Sequence, residues 1–130
     1  MKTYKKISTF LALSFGLLVL TILFSCKKDD DNPRGIEFRV STSANAHIDA
    51  VTYTNVQGEA TNLTEINSDN WSATVTVQGG VKVVSLTATG VAADASGSMK
   101  VQILSNGSVV AENSTSGQVL HTSTTYVLVK

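Results

Sequence analysis

Cys26 is the only cysteine among 130 residues, and it stands between an apolar run and a cluster of charges, in Leu23-Phe24-Ser25-Cys26-Lys27-Lys28-Asp29-Asp30-Asp31. It has no disulfide partner in the chain. Nucleophilic catalysis needs a hydroxyl or thiol with a base in hydrogen-bond reach, and none of the many serines and threonines sits in a nucleophile-elbow pattern. His47 and His121 are far apart in sequence, without an acidic or cysteine partner at ligand spacing. A zinc site takes three or four converging ligands, so both histidines are expected as exposed strand or loop residues. Glu59, Glu65 and Asp69 are the acids a glycosidase-like pair would draw on, but a domain of this size offers little cleft for a sugar. The expectation is a chain without catalytic residues, metal or cofactor, in which Cys26 is a point of attachment.

The segment before the cysteine decides what is attached. Met1 to Lys6 carry Lys2, Lys5 and Lys6 with no acid, and Ile7 to Phe24 follow as 18 almost wholly apolar residues. A basic start, an apolar stretch and small residues before a break is the layout of a secretory signal peptide. The length alone would also suit a membrane-spanning helix, and an uncleaved helix with an incidental cysteine is the alternative. Leu stands three places before Cys26 and a small residue directly before it, so that Leu23-Phe24-Ser25-Cys26 resembles the lipobox of bacterial lipoproteins. The resemblance implies cleavage between Ser25 and Cys26 and acylation of Cys26 with palmitate-type chains. Each buried methylene contributes about 0.8 kcal/mol to membrane affinity and one chain binds only reversibly, so several chains make a permanent anchor.

Lys27 to Gly35 is polar, charged and contains the only proline, Pro33. Such a segment cannot bury enough apolar area to offset its ordering entropy, and it reads as a tether. Its nine residues span on the order of 30 Å when extended. Lys27, Lys28, Asp29, Asp30 and Asp31 are similar to the charged cluster that directs lipoproteins of the Bacteroidota to the cell surface, which implies an outer-membrane lipoprotein with surface exposure. A calcium loop is the weaker reading of the acids, because three consecutive carboxylates lack spaced, converging oxygens. The organisation expected is a signal peptide over 1–25, the lipidated cysteine and tether over 26–35, and one domain over 36–130.

Loss of residues 1–25 removes three lysines and no acid, leaving seven basic and ten acidic residues and a formal net charge of −3. That is not the basic footprint of a nucleic-acid binder. The remaining domain of about 95 residues has room for one modest core.

Trp71 to Val77 alternates apolar with polar, the period of a half-buried strand, with Trp71, Ala73, Val75 and Val77 inward. Gln78-Gly79-Gly80 reads as a turn into a returning strand, Lys82 to Thr89, with Val84, Leu86 and Ala88 on one face. Met99 to Leu104 and Val109 to Ala111 flank Ser105-Asn106-Gly107-Ser108, and Asn-Gly is the strongest short hairpin signal because a type I′ turn needs positive φ at both central residues. Weaker strands are expected over Ile36–Ser41, His47–Thr54, Ala60–Ile66 and Thr125–Lys130. About eight short strands without sustained helical periodicity argue for a small antiparallel β-sandwich, with a β-barrel as the alternative. Trp71 is expected in the core rather than as a sugar platform, while Tyr53 and Tyr126 carry the same two readings, a sugar platform or a packed ring with its hydroxyl wet.

Val51-Thr52-Tyr53, Gly58, Trp71, Ala88, Val101-Gln102-Ile103, Asn106-Gly107 and the ending Tyr126-Val127-Leu128-Val129-Lys130 occur in an order similar to the extracytoplasmic domain of the mycobacterial membrane protein small (MmpS) family, over roughly Ala46 to Lys130. The resemblance implies an immunoglobulin-like β-sandwich and a role as accessory to an RND-type transporter. Two departures stand against carrying that role over. The family is anchored by an N-terminal helix beside its transporter, and it commonly has two cysteines where this chain has Val101 and Val127. An apolar contact between these two valines is expected in place of the disulfide.

The function expected is a non-enzymatic, lipid-anchored envelope protein whose sandwich presents a binding surface to a transport or envelope complex. A surface adhesive or structural protein, associating through its outer strands, is the first alternative. A small glycan-binding module is the second.

Overall fold

Period-two alternation builds the domain. In the strand Val83–Ala92 the side chains of Val84, Leu86, Ala88 and Ala92 are buried, while Ser85, Thr87, Thr89 and Val91 turn to the other face. A computed structural model describes residues 32–128, which fall within one compact unit, Asp31–Lys130. It contains β1 (Arg34–Thr42), β2 (Ala46–Thr54), β3 (Ala60–Leu63), β4 (Asn70–Val77), β5 (Val83–Ala92), β6 (Ser98–Ser105), β7 (Ser108–Ser116) and β8 (Val119–Val127).

The strands form two four-stranded antiparallel sheets in the orders β4-β1-β6-β7 and β3-β2-β5-β8. This is the small β-sandwich the alternation implies. It shares the two-layer architecture of immunoglobulin-like domains with an order of its own, since β1 lies inside a sheet rather than at its edge. Phe38, Ile36 and Val40 of β1 meet Ile48, Val51, Leu86 and Leu120 of the second sheet in one core, each almost fully removed from water. Full burial of such a side chain contributes roughly 1.5–3 kcal/mol.

Asn106 and Gly107 have φ of 52° and 77° and close the β6–β7 hairpin with Ser105 opposite Ser108, as the Asn-Gly signal requires. Four sequence expectations are corrected. The Gln78–Gly80 turn does not return β4 onto β5: β4 pairs with β1 and β5 with β2 and β8, so the connection crosses between sheets. β3 stops at Leu63 instead of Ile66, because Glu65 and Asn67 take positive φ of 57° and 48°, outside strand geometry. β7 and β8 are longer than their apolar stretches and reach Ser116 and back to Val119, through Ser/Thr-rich sequence that β7 pairs along its hairpin with β6 and β8 pairs non-locally with β5. Val101 and Val127 do not meet: Val101 is in the core, while alternation in β8 buries Leu120 and Thr122 and leaves Val127 outward and 55% exposed.

Candidate functional site

Because the strands run alternately up and down, the connections collect at two ends. The chain enters at Arg34, at the end that also carries the β2–β3 turn, the β4–β5 connection, the Asn106-Gly107 turn and the end of β8. The other end carries the β1–β2 turn, the β3–β4 segment, the β5–β6 loop and the Gly117-Gln118 corner.

That second end is tied by one polar knot. Asn45 Nδ2 donates to Asp94 Oδ1 at 3.2 Å and to Ser96 Oγ at 2.9 Å, Ser43 Oγ donates to Asn45 Oδ1 at 2.7 Å, and the Ser98 amide donates to Ser43 Oγ at 3.0 Å. The Ser96 hydroxyl and the Ser96 amide also donate to Asp94, and these bonds hold its carboxyl below the ordinary carboxylate range. Charge-assisted bonds of this kind order loops.

Beside the knot, the outer face of the first sheet is hollowed into an open polar depression of about 530 Å³, lined by Ser41, Ser43, Ser98, Lys100, Ser114 and Ser116 among others. It adjoins a second of about 400 Å³ that shares Ser41 and includes Arg39, Asn70, Trp71 and Gln102. The hydroxyls donate and accept, and Lys100 supplies a cation, so the surface suits a polar ligand. Arg39 is engaged by Glu37, at 2.7 Å, and Gln102 by Glu112, also at 2.7 Å. No family model matches this chain, and no curated protein matches it.

Cys26, Ser25, Lys27, Lys28, Asp29, Asp30 and Asp31 lie outside the described residues, so their assignment rests on the sequence. His47 does have an acidic neighbour, contrary to expectation: its Nε2 is 3.0 Å from Asp49 Oδ1, two residues on, across the irregularity between Ile48 and Ala50. His121 is exposed on β8. Glu59 sits in the β2–β3 turn and Glu65 and Asp69 in the β3–β4 segment, so the fold places the first at the opposite end from the other two. Among the described residues no three His, Cys, Asp or Glu side chains converge on a metal position, and no helix is long and apolar enough to cross a membrane.

Trp71 is half-buried and packs on the core, its ring 5.3 Å from Tyr53, which is 5.6 Å from the buried Phe38. The three rings link β1, β2 and the edge strand β4 across the two sheets. Tyr126 is also partly buried against the core. The Asn45–Asp94–Ser96 knot was not legible beforehand. Its only sequence signal is the turn-rich Ala93-Asp94-Ala95-Ser96-Gly97, which marks a loop and not its partner.

Proposed function

We propose that the chain is a non-enzymatic bacterial lipoprotein, acylated at Cys26 and anchored in the outer membrane with exposure at the cell surface, whose β-sandwich is a binding module. The observation that carries this reading is Leu23-Phe24-Ser25-Cys26, placed between an apolar leader and a charged tether. The fold is consistent with it: the tether joins the sandwich at Arg34, and the polar depression and the knotted loops lie at the opposite end, where a partner has access. By the MmpS resemblance, the partner is a protein of an RND-type transport or envelope complex. The proposed partners include no nucleic acid.

Cross-linking in intact cells, followed by purification of the lipidated protein and identification of what comes with it, tests the partner. Recovery of a transporter or its outer-membrane channel supports the accessory role. Recovery of only the protein itself or other surface proteins overturns that role and points to adhesion.

A further inference from the structure

The first sheet exposes Glu37, Arg39, Lys100 and Glu112, and β2 of the second sheet carries the His47–Asp49 pair, whereas the outward positions of β5 and β8 carry no carboxylate, lysine or arginine. In register they form five cross-strand pairs: Val83–Val127 and Val91–Val119 at the two ends, and Ser85–Thr125, Thr87–Ser123 and Thr89–His121 between them. The four valines are exposed by 46, 55, 37 and 79% respectively. The register between these two strands is continuous, with none of the shifts that interrupt the β2–β5 and β6–β7 pairings. The result is a ribbon about 27 Å long with an apolar pair at each end and hydroxyls and His121 in the middle.

We infer that this face is an interface between two copies of the chain, packed sheet on sheet. The pattern is complementary to itself. A two-fold axis lying between the copies and parallel to the strands sets β5 of one against β8 of the other, so that Val83 faces Val127, Val91 faces Val119, and Thr87 faces Ser123. Valine meets valine, and hydroxyls, which both donate and accept, meet hydroxyls. No like charges are brought together. Sheets packed this way lie about 10 Å apart with strands nearly aligned.

The tether selects this arrangement over the edge of β8. The parallel two-fold axis keeps both Arg34 entries at one end, so both anchors reach the same membrane. Antiparallel pairing of β8 with its copy turns one molecule end for end and sends the tethers in opposite directions. That edge is also capped at its centre, where Asn113 Nδ2 donates to the Ser123 carbonyl at 3.0 Å. The choice of axis rests on the lipid anchor proposed above, whereas the self-complementary ribbon does not.

The test uses full-length chains carrying Thr87→Cys and Ser123→Cys, co-expressed, with a short bifunctional thiol reagent added to both membrane and soluble fractions. Wild type reports any reaction at Cys26, and a Thr74→Cys with Gln102→Cys pair reports the opposite sheet. The expected result is a species of twice the mass at least about tenfold above both controls, weakened about tenfold when Val119→Glu places a charge in the face. Val119 is 79% exposed, so this substitution leaves the fold intact. No dimer above wild type, an equal yield from the opposite sheet, or a dimer indifferent to Val119→Glu overturns the interface. Fractionation is read separately: a soluble cross-linked pair supports the interface and overturns the anchor.

Discussion

Thr54 and Thr122 are the two buried polar side chains among the described residues, and they have opposite environments. Thr54 Oγ1 accepts the Ser85 amide at 2.9 Å, extending the β2–β5 ladder past its last backbone pair, Tyr53 with Leu86. Thr122 Oγ1 is buried with no partner. An unpaired buried polar group costs about 1–3 kcal/mol, and replacing it by an apolar group of the same shape removes that cost. Thr122→Val is therefore expected to stabilise by about 1 kcal/mol, which in a domain of this size raises Tm by about 4–8 °C. Thr54→Val is expected to destabilise by about 1 kcal/mol, because it orphans the Ser85 amide. Thermal denaturation of the two variants checks both signs. Asp94 gives a third expectation, in pH. Its carboxyl is held low by the Ser96 bonds, so the knot's contribution is complete above the unfolded carboxylate value of about 4 and is lost as pH falls through the lowered folded value. Asp94→Asn should remove that pH dependence and speed hydrogen exchange at the Ser96 amide while sparing the core strands.

At the scale of elements, Gly90 shows why β2 and β5 fit. A Cβ added there would lie 2.3 Å from the His47 carbonyl and 2.8 Å from the Met99 side chain, beside the irregularity that sets Asp49 off the ladder. Overpacking against backbone has no cheap relaxation, so Gly90→Ala should cost about 1–3 kcal/mol, measured by urea denaturation. Phe38→Ala should cost about 3–5 kcal/mol, since it also removes support from the Tyr53 and Trp71 rings. Trp71 fluorescence should then shift to the red.

Much of this level was legible in advance where the determinant is local. The inward face of β5 follows from alternation at Val84, Leu86 and Ala88, and the β6–β7 hairpin from the backbone demands of Asn106-Gly107. Partner choice was not legible. Gln78-Gly79-Gly80 announces a change of direction, but whether the next strand pairs alongside or crosses the core depends on β1 and β2, distant in sequence. The same reason hid the knot, whose members Asn45 and Ser96 are 51 residues apart, and the length of β8, which is held by β5 and not by an apolar pattern of its own.

At the scale of the whole molecule, the anchor proposed at Cys26 would make the sandwich an end-on module. Entry at Arg34 leaves the β1–β2 and β5–β6 loops and the polar depression at the opposite end, and the uncharged ribbon of β5 and β8 along one side. If the leader is removed as proposed, seven basic and ten acidic residues leave a formal net charge of −3, which does not suit binding to a polyanion. The orientation of this arrangement toward a membrane depends on Cys26 being the mature N-terminus. The most direct measurement is mass spectrometry of the N-terminal peptide of the protein purified from membranes of its native cells. The expected result is a peptide beginning at Cys26 and carrying acyl chains, and a soluble protein when Cys26→Ala is made. A peptide beginning at Met1, or an unmodified Cys26, would contradict it.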